Sequence, residues 1–230
     1  MIRWDEPGFV VGFTTRVGGV SDGPFASLNL GRSTGDDRAK VEENRRRACA
    51  SLGADAQRLT VNRQVHSTLV HEAVAGVQGT VGDGLWSDEP GVPMLALSAD
   101  CVPVAIAAPG RRRLAVLHAG WRGLSRGVIG AGVSAVRGDD DAGEVAAAIG
   151  PSVGPCCYEV GAEVSGLFEA SLTRDRKLDL WTATERLLRA AGVARIERLD
   201  LCTMCRPELF FSHRRDGRPR GVQGVIGYVA

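Results

Sequence analysis

Short apolar runs of strand length alternate with helix-like segments along the chain, and this alternation limits the possible folds more than any other sequence feature. Residues 93–98 and 103–107 are apolar and strand-like, and they flank Asp100 and Cys101. Residues 36–52 and 123–136 instead carry apolar or small residues at helical spacing. Elements of both kinds must pack in layers to bury their apolar faces. The sequence therefore predicts an α/β fold of the mixed α+β kind, with one mixed β-sheet and flanking helices.

The other predicted elements continue this alternation. The predicted strands cover residues 9–15, 58–65, 68–73, 114–117, 145–149, 195–200 and 221–229. The further predicted helices cover residues 162–170 and 182–191. No internal repeat or low-complexity linker divides the chain, so residues 1–230 are expected to form a single domain.

Composition argues against several classes of protein. The net charge of +1 creates no global field for nucleic acid or an anionic membrane. The basic clusters at 45–47, 111–113 and 214–215 are interpreted as solvated faces. No apolar run approaches the ~20 residues of a membrane helix, and the N-terminus lacks the apolar core of a signal peptide. Six cysteines are too few for a disulfide scaffold, so a cytoplasmic protein with reduced thiols is expected.

Three residues form the candidate metal site: His66, Cys101 and His118. Two imidazoles and one thiol leave room for a fourth ligand, an arrangement that zinc enzymes use to activate water or polarise a substrate. Each residue lies near the end of a predicted strand, and Ala119 and Gly120 allow the backbone to approach a ligand closely. A buried structural cysteine or a hydrogen-bonded core histidine is the alternative for each residue taken alone.

Residues beside the trio have two possible roles each. Asp100 could orient a ligand by accepting an imidazole N–H, or it could cap a turn. Arg122 could hold an anionic substrate group or form a surface ion pair, and Trp121 could wall a pocket or simply pack. The predicted helix from Gly123 could add an anion site at its N-terminus.

The other cysteines and histidines are less informative. Cys156 and Cys157 are adjacent, and adjacent cysteines rarely ligate one metal together. Cys202 and Cys205 have the C-x-x-C spacing of redox or zinc sites, but no second pair accompanies them. They are interpreted as two reduced thiols near a turn. His71 is expected to be an exposed strand residue, and nothing in its spacing requires His213 to lie near a pocket.

Many ordered motifs make the chain resemble one family. They include FTTRVGGVS at 13–21, SLNLG at 27–31, GDD at 35–37, NR at 44–45, QVH at 64–66, ADCVP at 99–103, HAGWRG at 118–123, IGP at 149–151, CYEVG at 157–161, CT at 202–203 and FSHRR at 211–215. This pattern resembles the bacterial YfiH/YlmD-type proteins, which are related to the human laccase-domain protein and were once called multicopper polyphenol oxidoreductases.

The resemblance implies one zinc ion, held by the motif residues that map onto His66, Cys101 and His118. It implies purine nucleoside phosphorolysis, in which adenosine, inosine, guanosine or methylthioadenosine reacts with phosphate to give the base and ribose 1-phosphate. It also implies adenosine deamination at the same site. Editing of peptidoglycan precursors in the cytoplasm is a further implied role.

The motif positions suggest which residues bind substrate. Arg16, Arg63 and Arg122 lie in or beside the motifs, and a guanidinium fork matches the oxygens of phosphate. Asp83 is expected to bind substrate with these arginines, and Cys101, His118 and Asp100 are the expected catalytic residues. Asp83 or Asp100 could shuttle protons during deamination. Nucleoside and phosphate are therefore the expected small-molecule partners, whereas the preferred nucleoside and the oligomeric state stay open.

Three alternatives remain at this point. In a metal-independent hydrolase, which is one way to edit peptidoglycan precursors, Cys101 would be the nucleophile and His118 its base. A copper oxidase is disfavoured, because a blue-copper site needs a weak axial ligand and a multicopper enzyme needs more than four histidines. A non-catalytic binding module would instead carry a closed, four-ligand zinc.

Overall fold

Two six-stranded β-sheets lie face to face, with helices against their outer faces. The computed structural model describes residues 1–138 and 143–230. The predicted mixed α/β class is confirmed, but the strands form two large mixed sheets where the sequence predicted one. Apolar residues on both faces of a strand are expected when the sheet is covered on both sides.

The elements of the described residues follow in chain order. The strands are β1 (Ile2–Trp4), β2 (Phe9–Phe13), β3 (Thr60–Arg63), β4 (Val70–Glu72), β5 (Gln78–Val81), β6 (Gly84–Ser87), β7 (Met94–Ser98), β8 (Val102–Ala108), β9 (Arg113–Ala119), β10 (Ala146–Ile149), β11 (Thr173–Arg174), β12 (Lys177–Leu178), β13 (Arg195–Arg198) and β14 (Gln223–Val229). The α-helices are α1 (Arg38–Ala50), α2 (Trp121–Arg126), α3 (Val128–Arg137), α4 (Ala162–Ser165), α5 (Leu180–Ala190) and α6 (His213–Asp216).

The strand order brings distant parts of the chain together. The first sheet has the order β1-β2-β14-β7-β3-β5, and the second has the order β13-β10-β8-β9-β6-β4. The short strands β11 and β12 form a separate antiparallel pair. β14, near the C-terminus, lies between β2 and β7 and is antiparallel to both.

Strand β8 shows how the layers are built. Val104 and Ile106 contribute to the core beneath the helices, whereas Ala105 and Ala107 face the other sheet. This division follows from the two-residue period of a strand, whose side chains point alternately to opposite faces. The helix-side core also takes in Ile129 of α3. A third cluster lies between the first sheet and α1.

Several predicted helices differ in extent from the observed ones. The predicted helix at 123–136 is two helices, α2 and α3, because Gly127 adopts a φ of 100° and ends the first. The predicted helix at 162–170 is only the four-residue α4. In the described parts of the chain, none of the helices combines the length and the apolar character needed to cross a bilayer.

The pairing register of the strands decides which loops and strand ends meet at one edge of the fold. β3 and β7 are parallel and adjacent, with Val61 opposite Leu95, so the loops that follow both strands leave at the same edge. In the second sheet, Pro103 of β8 lies opposite His118 of β9. The loops after β3 and β7 and the end of β9 therefore meet at this edge.

Candidate metal centre and its pocket

His66, Cys101 and His118 converge at this edge of the two sheets. Their ligand atoms all lie within 4.8 Å of one another. The Cys101 Sγ is 3.9 Å from His66 Nε2, and the two imidazole rings are 4.9 Å apart between centroids with an interplanar angle of 79°. Residues separated by 52 positions in the chain thus form one three-point group, as the sequence predicted.

Asp83 accepts hydrogen bonds from two members of this group, His66 and His118. Its Oδ1 lies 2.9 Å from His118 Nδ1 and also accepts the backbone N–H of His66 at 3.0 Å. Its Oδ2 accepts the backbone N–H groups of Val65 and Ser67 and the Ser67 hydroxyl. A carboxylate that accepts Nδ1–H of an imidazole leaves Nε2 free to bind a metal.

The spacing of the trio fits a small tetrahedral ion. Zinc bonds of about 2.3 Å to sulfur and about 2.1 Å to nitrogen would separate the two ligand atoms by about 3.6 Å, close to the observed 3.9 Å between Cys101 Sγ and His66 Nε2. Gly120 makes this approach possible. A Cβ at that position would lie 2.8 Å from His66 Cδ2 and 3.0 Å from Cys101 Sγ.

The three side chains also adjust one another's ionisation. Burial alone would raise the pKa of the Cys101 thiol, but the charge of His118 and hydrogen bonds from both histidines outweigh it and lower the pKa to about 6. Burial would lower the pKa of His118, but the Cys101 thiolate and Asp83 outweigh it and raise the pKa to about 9. Cys101 is therefore disposed to be a thiolate, the form of cysteine that binds metals.

Asp83 is held in its charged form. Burial would raise its pKa, but the hydrogen bonds from His118 and Ser67 outweigh this effect and hold the pKa well below its usual value. The carboxylate is 1% exposed, and it does not belong to the surface of the adjoining pocket in the described chain. Its observed contacts are with His118 and with the loop of Val65, His66 and Ser67.

A pocket of about 630 Å³ opens over the trio. Its described lining residues are Gly31, Ser33, Thr34, Asn62, Arg63, Gln64, His66, Leu97, Ser98, Ala99, Asp100, Cys101, His118, Trp121, Arg122, Tyr158, His213, Arg214, Arg218, Arg220 and Val222. This lining contains five arginines against a single carboxylate, that of Asp100. The volume falls in the range of pockets that hold small-molecule ligands, and the charge favours an anion.

The residues predicted to bind substrate take different positions. Arg63 and Arg122 line the pocket, and the Arg122 guanidinium lies 4.3 Å from the ring centroid of Trp121. Arg16 lies outside this lining. Its guanidinium donates to the carbonyls of Ala26 and Pro207 and covers the ring of Phe211.

Asp100 lines the pocket, but its carboxylate is already engaged. Oδ1 accepts the Thr203 hydroxyl at 2.6 Å, and Oδ2 accepts the backbone N–H of Arg214 at 2.7 Å. Asp100 has a φ of 93°, a conformation rarely adopted by residues other than glycine. Its hydrogen bonds hold the backbone immediately before Cys101.

Sequence reasoning missed most of the positive charge in the pocket. The pair Arg214–Arg215 was interpreted as a solvated face, yet Arg214 lines the pocket and Arg215 donates to the carbonyls of Thr203, Met204 and Phe210. Arg218 and Arg220 also line it. The FSHRR motif was the available signal for Arg214, but its spacing does not reveal which surface it faces.

The sequence did not assign Gln64 and Tyr158 to the pocket, and it did not fix the location of His213. Gln64 links the loop that carries His66 to β7. Its side chain donates to the carbonyl of Leu97 and accepts the Leu97 N–H, both at 2.7 Å. Tyr158 lines the wall, and burial raises its pKa to about 12. His213, whose location was left open, also lines the pocket. His71 is half-buried and lies 2.9 Å from the carbonyl of Val81.

Cys202 and Cys205 are two free thiols at a turn, as interpreted from the sequence, but other cysteines lie beside them. Their sulfur atoms lie with those of Cys156 and Cys157 in a group whose members are all within 4.8 Å of one another. The adjacent pair and the C-x-x-C pair thus meet in space, although 44 residues lie between Cys157 and Cys202.

Comparisons with known proteins identify the family of the chain. The chain matches the family described as multi-copper polyphenol oxidoreductase laccase over residues 10–228. It is 37% identical over 243 residues to purine nucleoside phosphorylase YlmD of Geobacillus stearothermophilus, a match covering 94% of this chain and 88% of that protein. It is 35% identical over 229 residues to purine nucleoside phosphorylase YfiH of Escherichia coli, a match covering 93% of this chain and 92% of that protein.

Solved structures share the whole architecture. The crystal structure of YlmD from Geobacillus stearothermophilus superposes with a TM-score of 0.88 and covers 97% of this chain and 93% of that chain. A crystal structure from Neisseria meningitidis, 30% identical, superposes with a TM-score of 0.89 and covers 99% of this chain and 98% of that chain. The resemblance predicted from the motifs is confirmed, and the chain belongs to the YfiH/YlmD-type, laccase-like family of multi-copper polyphenol oxidoreductases.

Proposed function

We propose that this chain is a purine nucleoside phosphorylase that uses one zinc ion bound by His66, Cys101 and His118. The single observation that carries the proposal is the position of this trio at the base of a pocket lined by five arginines. The names of the relatives from Geobacillus stearothermophilus and Escherichia coli support the reaction class.

The ligand set favours zinc over copper. One thiolate and two imidazoles with an open fourth position are typical of catalytic zinc. A multicopper oxidase needs many more histidines than the four in the chain. When bound, the zinc would act as a Lewis acid and would lower the pKa of a bound water toward ~7.

Phosphate binding is assigned to arginines of the pocket. Arg220 is the strongest candidate, because its Nε is buried without a hydrogen-bond partner and its pKa is lowered, mainly by burial. A phosphate oxygen would satisfy this N–H and offset the charge. Arg63, Arg122, Arg214 and Arg218 add positive charge around the same space. Arg16, committed to backbone carbonyls, is assigned a structural role.

The reaction needs phosphate on one side of the ribose and a departing purine on the other. A phosphate oxygen attacks C1′, the C1′–N9 bond breaks, and its electron pair leaves with the purine, which takes up a proton. Tyr158 is suited to donate a hydrogen bond to the base, because its raised pKa keeps the phenol protonated at neutral pH. His213 is suited to accept one, because burial and Arg220 lower its pKa and favour the neutral ring.

Adenosine deamination is proposed as a second reaction of the same centre. It needs a hydroxide near the purine, which the metal-bound water would supply at neutral pH. Asp83 and Asp100 were expected to shuttle protons, but their carboxylates are engaged by other donors. We therefore assign both to positioning, and we assign proton transfer in the pocket to His213.

The main rival is a metal-independent hydrolase with Cys101 as nucleophile and His118 as base, acting on peptidoglycan precursors. The lowered pKa of Cys101 and the contact of His118 Nδ1 with Asp83 are both compatible with it, but it leaves His66 without a role. A chelator separates the models, since metal removal should leave such a hydrolase active.

The decisive experiment is a nucleoside panel, assayed with and without phosphate, on the protein as purified, after chelation and after zinc reloading. Phosphate-dependent release of free base that disappears on chelation and returns with zinc is expected. Cys101→Ala should lose both the metal of this site and the activity, whereas Cys49→Ala, which removes a buried thiol elsewhere, should retain both. Base release that persists in Cys101→Ala, or that does not depend on phosphate, would contradict the proposal.

Two broader features complete the proposal. Residues 1–230 are proposed to form one domain, because β14 pairs with β2 and β7 and thereby joins the two ends of the described chain in one sheet. A cytoplasmic setting is proposed, because a reducing environment keeps the Cys101 thiol available as a metal ligand.

A further inference from the structure

Four cysteines form a second cluster outside the nucleoside pocket. Cys156 and Cys157 lie in a tight turn after β10, and Cys202 and Cys205 lie in the loop after β13. All four sulfur atoms are within 4.8 Å of one another. The Cys205 Sγ is 3.3 Å from Cys157 Sγ and 3.6 Å from Cys156 Sγ.

These distances match shared ligation of one ion. Four sulfur atoms bound tetrahedrally to zinc at about 2.3 Å would lie about 3.8 Å apart. All four thiols are free. Cys202 is buried while Cys156 and Cys205 are exposed, so a metal could enter from solvent and still be enclosed by four ligands.

The backbone of the two loops is already arranged around the cluster. Ser152 and Cys202 form a parallel bridge, in which Ser152 donates to the carbonyl of Leu201 and Thr203 donates to the carbonyl of Ser152. The Gly154 N–H points at Cys202 Sγ at 3.3 Å. A hydrogen bond to sulfur favours the thiolate, the form that binds a metal.

The turn explains how adjacent cysteines can both take part. The backbone N–H groups of Cys157 and Tyr158 both donate to the carbonyl of Gly154, which folds the chain tightly at this position. Arg215 donates to the carbonyls of Thr203 and Met204 within the other loop. The Arg215 guanidinium is itself paired with Asp216 at 2.7 Å, so its contribution here is to hold the backbone of this loop.

We propose that Cys156, Cys157, Cys202 and Cys205 bind a second zinc ion in a closed, structural site with four thiolate ligands. The site would tie the loop after β10 to the loop after β13. Both loops hold the residue before Cys101: the Val153 N–H donates to the carbonyl of Asp100, and the Thr203 hydroxyl donates to its carboxylate. The structural zinc would therefore stabilise one wall of the nucleoside pocket without touching substrate.

Metal stoichiometry tests the proposal directly. Protein saturated with zinc under reducing conditions and then freed of unbound metal should contain about two zinc ions per chain, one per site. Cys205→Ser and Cys101→Ala should each lose one, their combination should lose both, and Cys49→Ala should retain two. If Cys205→Ser retains the full zinc content of the wild type, the four-cysteine site is excluded. If zinc is lost in Cys205→Ser and unaffected by Cys101→Ala, the structural site stands and the proposed catalytic site fails.

Measurements on the wild-type chain avoid any dependence on how a variant folds. Titration with a mercurial reagent should release one zinc ion for every four clustered thiols that react, a ratio that a site with one thiolate does not give. Reconstitution with Co²⁺ should give a thiolate-to-cobalt charge-transfer band far stronger than one thiolate ligand can produce. Alkylation after denaturation should find all six thiols free. A disulfide among the four cysteines of the metal-containing protein, or a charge-transfer band of single-thiolate strength, would overturn the proposal.

Discussion

The Nδ1 of His118 lies 2.9 Å from Oδ1 of the buried Asp83. The same carboxylate also accepts backbone N–H groups of the His66 loop, so one side chain sets the orientation of two candidate ligands from different sheets. The relative position of these two candidate ligands therefore depends on Asp83.

The first prediction concerns the hydrogen bonds by which Asp83 holds His66 and His118. Asp83→Asn keeps the size of the side chain but removes its charge and replaces one acceptor oxygen with an NH₂ group, which faces other donors. Zinc affinity of the three-residue site should fall about 10–100-fold, as is usual when the partner of a ligand histidine is altered. Competition with a fluorescent chelator measures this fall. Asp88→Asn, which alters an exposed partner of Arg113, is the control, and an equal loss in both variants would contradict the assigned role.

A second prediction tests the close approach at Gly120. Gly120→Ala places a methyl group 2.8 Å from His66 Cδ2 and 3.0 Å from Cys101 Sγ, so the ligands must move apart. Base release should fall and zinc should bind more weakly, while the fold is retained because the backbone φ of −77° suits alanine. Gly130→Ala in α3 meets no atom within 4 Å and should stabilise the protein by about 0.5–1 kcal/mol. Undiminished zinc affinity in Gly120→Ala would refute the close contact.

The third prediction assigns phosphate to Arg220. Arg220→Ala removes a charge-assisted hydrogen bond worth about 1.5–3 kcal/mol, so the KM for phosphate should rise about tenfold or more. The zinc content should not change. Steady-state kinetics at varied phosphate and fixed inosine give the answer. Arg126→Ala, on the exposed end of α2, provides a matched loss of charge outside the pocket lining, and the proposed role fails if both variants bind phosphate equally well.

The fourth prediction is a dependence of metal binding on pH. In the metal-free protein, the pKa of Cys101 is lowered to about 6 and that of His118 is raised to about 9, so between these values the pair is a thiolate and an imidazolium. Zinc must then displace one proton, from His118, and its apparent affinity should rise about tenfold per pH unit over this range. Above pH 9 the dependence should flatten. Calorimetry on protein whose four-cysteine site is already loaded with zinc, in buffers of different ionisation enthalpy, counts the released protons, and zero protons at pH 7.5 would contradict the assigned pair.

The sequence predicted the strands of the core well because their signal is local. Residues 103–107 and 114–117 lie within β8 and β9, where continuous apolar character reflects burial on both faces. The break at Gly127 was not predicted, because a small residue inside a helical pattern is compatible with both a continuous helix and a cap. The number of sheets was also missed, because alternation of apolar residues does not reveal which strands pair.

The candidate ligands His66, Cys101 and His118 could be named from residue chemistry and motifs alone, and the family followed from the order of those motifs. Only the tertiary structure placed Asp83 behind the histidines, brought Arg214, Arg218 and Arg220 around the pocket, and joined the four cysteines. Chemical type and short-range spacing are properties of the chain itself. Convergence depends on which strands pair across long separations, and that is decided by the burial of the two sheets and their helices as a whole.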